Sequence, residues 1–298
     1  MKNAEKKAAA IMVQGTASNV GKSAIATALC RIFSRAGYRV APFKSWNMAL
    51  NSYSMPDGGE IGRAQGEQAE AAGIEPTVDM NPLLLKPGAP GQTQLFVRGH
   101  FYGNVGYTHH SQEAYLSFCL KVIRESFAKL RQEYEIIVLE GAGSPAEINL
   151  KEQDIANMKV AELASAPVLL VSDLSRGGAW AAALGTVMLL SETERRRVAG
   201  FVMNKFRGDD TFLPSALKVL EKQTSLPVLG VVPYLQEVNL AEEDGVFDNS
   251  DSLYGKQEAA TTEQKGPERF DALADAVENA LDMPALYKLL ELPMGGRL

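Results

Sequence analysis

Apolar and polar positions follow two alternating patterns along this chain. Short, almost continuous apolar runs predict strands that are buried on both faces, as in a parallel sheet covered by helices. The longer segments between them carry apolar residues at helical spacing. The alternation predicts an α/β fold with a doubly wound, mostly parallel sheet. The predicted strands are Ala10–Gln14, Arg39–Phe43, Ile136–Leu139, Val168–Val171, Val198–Met203 and Val228–Val232. The predicted helices are Lys22–Ser34, Ile61–Ala72, Gln112–Arg131, Ala156–Ala164, Ala179–Leu190 and Phe212–Gln223.

Residues 75–110 interrupt this rhythm. They are rich in Pro, Gly, Asn and Gln, and they contain the three histidines His100, His109 and His110. We interpret them as an insertion with one short strand, Gln94–Arg98. Adjacent histidines suggest a metal site, but no third ligand stands at helical spacing, which favours solvated loop histidines.

The composition changes again near residue 244. Residues 250–267 are polar, as is typical of a linker. We therefore predict a main domain over residues 1–244, a polar linker over 245–267 and a helical tail over 268–298. In the tail, apolar residues recur near the helical period and a proline begins a second short helix. These positions are Phe270, Leu273, Val277, Leu281 and Pro284.

The composition excludes several classes of protein. The 298 residues are 46% hydrophobic and 22% charged, as in folded globular proteins. The net charge of −6 disfavours a broad nucleic-acid surface, since phosphate binding needs clustered positive charge. Cys30 and Cys119 lie in apolar helical patterns, which predicts reduced core thiols. Ala8–Val13 is too short for a signal peptide, and no apolar run approaches the roughly 20 residues that span a bilayer. We therefore predict a cytoplasmic chain without a membrane or nucleic-acid partner.

The clearest motif is a glycine loop between the first predicted strand and helix. Glycines let backbone N–H groups point at phosphate oxygens, and the helix N-terminus adds a partial positive charge. Lys22 is expected to contact the β- and γ-phosphates of a nucleotide, and Ser23 to bind Mg²⁺. Five residues separate the two glycines here, whereas the usual phosphate loop has four. The loop consists of Gly15, Thr16, Ala17, Ser18, Asn19, Val20, Gly21, Lys22 and Ser23.

Polar residues follow the other predicted strands. Glu140 ends a buried run, at the position where phosphate-loop enzymes hold a magnesium-supporting acid, which is usually Asp. Ligands of open α/β sheets bind at the carboxyl edge, so polar groups at several strand ends predict one site. The further candidates are Lys44, Asp173, Arg176, Asn204 and Lys205.

Six segments resemble the synthetase domain of the cobyric acid synthase family, which is related to dethiobiotin synthetase. The resemblance runs in order from about Ile11 to Asp244 without large gaps. It accounts for the longer glycine loop, since both families carry the extra residue. The segments are Ala41–Ser52 (APFKSWNMALNS), Asp57–Gln65 (DGGEIGRAQ), Val78–Pro87 (VDMNPLLLKP), Glu140–Leu150 (EGAGSPAEINL), Ser172–Ala181 (SDLSRGGAWA) and Asn204–Asp209 (NKFRGD).

The resemblance implies a phosphate-loop ligase of cobalamin biosynthesis that uses ATP and Mg²⁺. The family phosphorylates peripheral carboxylates of the corrinoid adenosylcobyrinic acid a,c-diamide, and ammonia converts the acyl phosphates into amides, giving cobyric acid. Phosphorylation of a carboxylate needs positive charge around the γ-phosphate, which Lys22, Lys44 and Mg²⁺ can provide.

The resemblance also implies roles for individual residues. Ser23, Glu60 and Glu140 match metal-supporting positions, and Lys44 matches a lysine near the reacting carboxylate. Asn204 matches an asparagine that reads adenine. Together with Lys22 and Lys44, Asp173 is the third candidate catalytic residue.

Two features depart from the family's pattern. Trp46 stands beside the expected substrate edge, where the family usually has Gln. Family members also continue into a glutaminase domain, whereas Leu240–Asp244 resembles the end of the synthetase domain and Gly245–Asn249 resembles the segment after the glutaminase histidine. Glu268–Leu290 resembles the family's C-terminus. We therefore expect a chain without its own glutaminase, which uses free ammonia or ammonia from a separate glutaminase subunit.

Three other interpretations stay open. A cobyrinic acid a,c-diamide synthase would share the nucleotide site, although the segments NMALNS and DGGEIGRAQ favour the cobyric acid type. A partitioning ATPase that acts as a nucleotide-gated dimer switch carries an early loop lysine, which Thr16–Asn19 lacks. A catalytically idle remnant is disfavoured by the intact Lys22, Ser23 and Glu140. The sequence leaves a homodimer open.

Overall fold

The computed structural model describes residues 8–88, 92–106, 113–208, 211, 213–235, 266–294 and 296. Strands and helices alternate along most of these ranges. The strands are β1 (Ala9–Gly15), β2 (Val40–Phe43), β3 (Trp46–Met48), β4 (Ser52–Ser54), β5 (Glu60–Gly62), β6 (Leu83–Pro87), β7 (Gln92–Val97), β8 (His100–Gly106), β9 (Ile136–Glu140), β10 (Val168–Asp173), β11 (Val198–Phe206) and β12 (Val228–Pro233). The helices are α1 (Lys22–Arg35), α2 (Arg63–Ala72), α3 (Glu113–Glu133), α4 (Met158–Ala164), α5 (Ala179–Leu189), α6 (Glu192–Arg195), α7 (Leu213–Thr224), α8 (Asp271–Ala280) and α9 (Met283–Leu289).

Six strands form one parallel sheet in the order β12-β11-β10-β1-β9-β2. β1 lies at its centre between β9 and β10. Successive side chains of a strand point to opposite faces, and Met12 joins one apolar cluster whereas Ile11 and Val13 join the other. Both faces of the sheet are therefore buried, which confirms the predicted α/β fold. Because the strands run parallel, their carboxyl ends meet at the edge where β1 enters the glycine loop.

The insertion at residues 75–110 contains more sheet than the sequence predicts. The single expected strand, Gln94–Arg98, is one of three, since β6, β7 and β8 pair antiparallel and β3 adds to β6 in parallel. The prediction missed β6 and β8 because apolar and polar residues do not alternate clearly along either strand. β6 is a run of three buried leucines, and β8 is mostly exposed and contains Gly103.

The predicted helix Ile61–Ala72 also begins differently. Ile61 and Gly62 belong to β5, which pairs antiparallel with β4, and the helix α2 starts at Arg63. Gly62 adopts extended backbone angles, φ −56° and ψ 139°, so it cannot continue a helix. Apart from such shifts at their ends, the other predicted strands and helices are confirmed within the described residues.

The C-terminal helices α8 and α9 pack against α1 and the edge of the main sheet. Leu273, Val277 and Leu286 are buried in the same apolar cluster as α1. Leu281 forms an isolated bridge with Gly230 of β12. The predicted tail is thus helical and contributes to the core. The boundary predicted at residue 244 and the predicted linker, apart from Gly266 and Pro267, lie outside the described residues.

Three smaller predictions concern histidines, thiols and membranes. His100 is exposed at the start of β8, whereas His109 and His110 lie outside the described residues. Cys30 and Cys119 are free and buried, as predicted. Among the described helices, none is both long enough and apolar enough to cross a bilayer.

Candidate functional site

The glycine loop leaves β1 and ends at the start of α1, as the sequence predicts. Gly21 has φ +95°, a left-handed conformation that favours glycine. At Gly15 a Cβ atom would stand 2.6 Å from Val20 Cγ2 and 2.8 Å from the Ala17 carbonyl oxygen. Both glycines are therefore required by the path of the backbone. Between them, Ala17 and Ser18 are exposed at the surface.

Lys22 begins α1 with its side chain folded over the loop. The residue is buried, and its Nζ donates a 3.0 Å hydrogen bond to the Ala17 carbonyl oxygen. The ammonium group thus lies beside the exposed loop backbone. Thr16 closes the loop on the other side, because its backbone N–H donates to Val171 in β10.

Glu140 collects three donors at the end of β9. Its Oε1 accepts from Ser23 Oγ at 2.8 Å and from Lys44 Nζ at 3.0 Å. Its Oε2 accepts from Gln68 Nε2 at 2.6 Å. Glu140 and Lys44 are almost fully buried, so their charges compensate each other in a region of low dielectric. A single carboxylate therefore links the glycine loop, β2 and α2.

Two residues that the sequence analysis missed hold this cluster. Gln68 contacts Glu140 from α2, and the Asn81 side-chain amide donates to the backbone carbonyl of Lys44 at 2.8 Å. Asn81 also accepts from the backbone N–H of Gly62 at 2.9 Å. Gln68 stands at no recognisable spacing, whereas Asn81 lies in the segment Val78–Pro87, which resembles the family but for which no site residue was predicted.

The ends of β10 and β11 brace the loop from the other side. Asn204 Nδ2 donates to the Val20 carbonyl oxygen at 2.9 Å, and Lys205 Nζ donates to the Asn19 carbonyl oxygen at 2.6 Å. Lys205 Nζ also lies 3.2 Å from Asp173 Oδ2. The other Asp173 oxygen accepts from the backbone and hydroxyl of Ser175. Asp173 and Asn204 are thus structural supports of the loop in this arrangement.

Two further candidates, Glu60 and Arg176, are not among the hydrogen-bond partners described for Glu140. Glu60, at the start of β5, pairs with Lys86 and accepts from Ser52. The hydrogen bonds from Lys86 and Ser52 lower the pKa of the Glu60 carboxyl. Arg176 is largely exposed, and its Nε is 3.8 Å from Asp173 Oδ2. The structure therefore gives Glu60 a set of partners different from that of Ser23 and Glu140.

The side chains at this edge fit a magnesium nucleotide. Mg²⁺ prefers oxygen ligands, which Ser23 Oγ and the Glu140 carboxylate supply. Phosphate oxygens fit a loop of backbone N–H groups that leads into a helix N-terminus. Lys22 brings the positive charge that the phosphates require. These residues would hold the nucleotide and its metal.

Comparison with known proteins agrees with this geometry. The CbiA family, described as the CobQ/CobB/MinD/ParA nucleotide binding domain, matches residues 11–247. The chain belongs to this family. The matched region begins in β1 and includes every loop and strand end described above. As a CbiA family member, the chain has a nucleotide-binding phosphate-loop fold.

Three curated relatives of this chain share the same name. The chain is 58% identical to the cobyric acid synthase of Moorella thermoacetica over 80% of this chain and 46% of that protein. For the cobyric acid synthase of Pelotomaculum thermopropionicum the identity is 57%, over 80% of this chain and 45% of that protein. For the cobyric acid synthase of Sorangium cellulosum the identity is 53%, over 88% of this chain and 48% of that protein. The chain spans about half the length of these relatives.

A solved structure with a lower similarity is the signal recognition particle receptor FtsY of Elizabethkingia anophelis in complex with GDP. It covers 78% of this chain and 59% of its own, with 17% identity and a TM-score of 0.46. A similarity of that size says nothing about what this CbiA family member binds.

Proposed function

We propose that this chain converts peripheral carboxylates of a corrinoid into amides with ATP, in the part of cobalamin biosynthesis that yields cobyric acid. The cobyric acid synthase relatives support this proposal for the region they share with the chain. The observation that carries it is the Glu140 carboxylate, one oxygen of which accepts from both Ser23 and Lys44. The phosphate loop and a lysine suited to a substrate carboxylate are thereby held together.

The proposed reaction has two steps, because a carboxylate is a poor electrophile until it is activated. A carboxylate oxygen of the substrate bonds to the γ-phosphorus of ATP, and the bond from that phosphorus to the bridging oxygen breaks, releasing ADP. Ammonia then bonds to the acyl carbon, and the carbon–oxygen bond to phosphate breaks with its electron pair. Loss of a proton from nitrogen leaves the amide.

Each charged residue has a distinct task in this proposal. Lys22 binds the β- and γ-phosphates, and Lys44 offsets the negative charge where the substrate carboxylate approaches the γ-phosphate. Ser23 and Glu140 would hold Mg²⁺, which neutralises phosphate charge when bound. Glu60 and the adenine contact of Asn204 stay predictions from the resemblance.

The nitrogen donor belongs to the same proposal. We infer free ammonia, or ammonia delivered by a separate glutaminase subunit, as the source. A homodimer and a place in the cytoplasm also stay predictions. The cobyrinic acid a,c-diamide synthase alternative is less favoured, because the three relatives described above are named cobyric acid synthase.

The test is incubation of the purified chain with ATP, Mg²⁺, ammonium and adenosylcobyrinic acid a,c-diamide, followed by mass spectrometry. We expect products in which NH₂ replaces OH, and ADP release in proportion to the amides formed. Lys22→Ala should abolish both, whereas Lys218→Ala, at an exposed position of α7, should leave both unchanged. ATP turnover at the normal rate in Lys22→Ala would remove the phosphate-loop assignment. ADP release without amides would contradict the proposed ligase.

A further inference from the structure

A cavity of about 420 Å³ opens near the ends of β2 and β9, and neither Lys44 nor Glu140 is among the residues that line it. Trp46, two residues after Lys44, and Ala142, two residues after Glu140, both line it. Two residues of chain span at most about 7 Å, so the cavity wall begins within that distance of the Cα atoms of Lys44 and Glu140. The side chains of Lys44 and Glu140 are almost fully buried, so a molecule in the cavity lies next to the strand ends that carry them.

The wall of this cavity next to Lys44 is apolar and aromatic. Trp46 and Met48 alternate with Asn47 along β3, so they share the face that lines the cavity. Asn47 on the opposite face is buried and donates to Gln65. Tyr115 of α3 stands beside Trp46, and burial raises the pKa of the Tyr115 hydroxyl. The aromatic wall is thus held in place by β3, which carries Trp46, and by α3, which carries Tyr115.

The loop after β9 continues the apolar lining. Pro145, Leu150 and Ile155 line the cavity, and Leu150 keeps 52% of its surface exposed although it is a large apolar residue. A half-exposed leucine at the rim of an apolar cavity gains from contact with an apolar ligand. The rim therefore favours a ligand whose body is apolar.

A second cavity of about 710 Å³ adjoins the first. The two cavities share one wall, and we call them together the trough. Lys151 and Glu194 in this wall form a 2.8 Å ion pair, and the side chain of Lys151 is 38% exposed. The wall consists of Leu116, Lys151, Asp154, Ile155 and Glu194. The trough thus offers an apolar floor at one end and a charged wall in the middle.

We propose that the trough is the docking site of the corrinoid macrocycle. The inference rests on the proposed function, which supplies the corrinoid as substrate. The ring packs on Trp46, Met48 and Leu150, and Lys151 exchanges its ion pair with Glu194 for a peripheral carboxylate of the ring. A neighbouring carboxylate is then directed toward the strand ends that carry Lys44 and Glu140. The size of the trough suits a large ring with polar side chains, whereas the nucleotide phosphates have their own loop.

Binding is tested first, without ATP. The sequence contains two tryptophans, so Trp180→Phe leaves Trp46 as the only indole, and Trp46→Phe leaves only Trp180. Titration with adenosylcobyrinic acid a,c-diamide should quench the Trp46 fluorescence saturably. The Trp46→Phe protein corrects for light absorption by the corrinoid. Equal, unsaturable quenching in both proteins would overturn the docking site.

Kinetics separate this inference from the proposed function. Trp46→Ala and the surface variant Lys151→Glu should raise the KM for the corrinoid about tenfold or more, because each removes an anchor. The KM for ATP should stay within about twofold, as expected when the phosphate loop is untouched. Trp46→Phe should stay close to the native KM, and Lys218→Glu is the charge-matched control.

The outcomes are distinct. Amide formation with an unchanged corrinoid KM in both Trp46→Ala and Lys151→Glu would overturn the trough and leave the proposed function standing. Saturable quenching of Trp46 without amide formation would support the trough and contradict the proposed function. Absence of both quenching and amide formation would count against both.

Discussion

Gly21 and Asn204 lie so close together that a Cβ atom on Gly21 would stand 2.1 Å from Asn204 Nδ2. The same Nδ2 donates to the carbonyl oxygen of Val20, the residue before Gly21. The end of the glycine loop is therefore held by Asn204 of β11, which lies 184 residues after Val20 in the chain. The conformation of the glycine loop consequently depends on the position of the end of β11.

Gly21→Ala should abolish nucleotide binding and lower the free energy of unfolding. A non-glycine residue in a left-handed conformation costs roughly 1–2 kcal/mol, and the methyl group would also displace Asn204. We expect the loss of any ATP-induced rise in Tm. The control is Gly58→Ala, because Gly58 has φ +81° but nothing within 4 Å of a Cβ atom. It should show the backbone cost alone and normal ATP binding. A normal ATP response in Gly21→Ala would contradict the rigid loop.

Much of this fold could be predicted because the decisive signals are local. The runs Val168–Val171 and Ile136–Leu139 are buried on both faces of a parallel sheet, and continuous apolar runs indicate that environment. The phosphate loop is also local, since glycines, lysine and serine follow one another directly. Glu140 could be expected at the site because it ends such a run.

The remainder depends on contacts between distant residues. Gln68 meets Glu140 across 72 positions, and nothing in its surroundings marks an amide as a partner of that carboxylate. Glu60 of β5 pairs with Lys86 of β6 although the two strands belong to different sheets, which spacing does not reveal. The second sheet was underestimated for the same reason, since the strand β8 is stabilised by pairing with β7 rather than by its own pattern.

Glu140→Gln should impair both turnover and stability. The substitution removes the charge that supports Mg²⁺, and it leaves Lys44 as a buried charge without its counter-ion. Breaking a buried ion pair costs about 3–5 kcal/mol. Urea unfolding and ATP turnover measure the two effects separately.

The double variant Lys44→Met, Glu140→Gln separates the two roles of the carboxylate. When both charged side chains are replaced by uncharged ones, no unpaired charge is left buried. Most of the lost free energy of unfolding should therefore return. Turnover should stay low, because neither the metal-supporting carboxylate nor the lysine is restored. Recovery of turnover together with stability would contradict a functional role for the pair.

The contact between α1 and α8 should make stability depend on pH. Arg31 Nε lies 2.7 Å from Asp271 Oδ1, and the hydrogen bond from Arg31 lowers the pKa of Asp271 below its ordinary value of 3.8. A lowered pKa in the folded state stabilises above the unfolded pKa, and the contribution is lost as pH falls through the folded pKa. Asp271→Asn should therefore lower the free energy of unfolding at pH 7 and have no effect well below pH 3.8.

The size of this effect is limited by solvent. Asp271 keeps 36% of its side chain exposed, so we expect about 0.5–1 kcal/mol at neutral pH. The control is Glu192→Gln, whose partner Arg196 is also largely exposed, and which should change stability little at any pH. Urea unfolding at several pH values measures both variants. An Asp271→Asn deficit that persists below the folded pKa would show that packing, not charge, is responsible.

Both cysteines are in surroundings that suppress thiol reactivity. Cys30 and Cys119 are fully buried in apolar clusters. Burial raises the pKa of Cys119 to about 11, and burial together with Glu140 raises the pKa of Cys30. A glutaminase needs a thiolate nucleophile beside a histidine base. The raised pKa keeps the Cys119 thiol protonated at pH 7, so the reactive thiolate is scarce.

The chain should therefore use ammonia and fail to hydrolyse glutamine. We expect amide formation with ammonium but not with glutamine alone, and no glutamate release from glutamine by the purified protein. Raising the pH toward 9 should increase the ammonia-dependent rate, since more ammonia is unprotonated, while glutamine stays inert.

In the native protein iodoacetamide should label neither thiol, and after unfolding in urea it should label both, which checks that burial is the cause. Cys30→Ser and Cys119→Ser are the matched variants, and both should keep the ammonia-dependent activity. Glutamate release that is lost in either variant would contradict the prediction and make that cysteine a nucleophile.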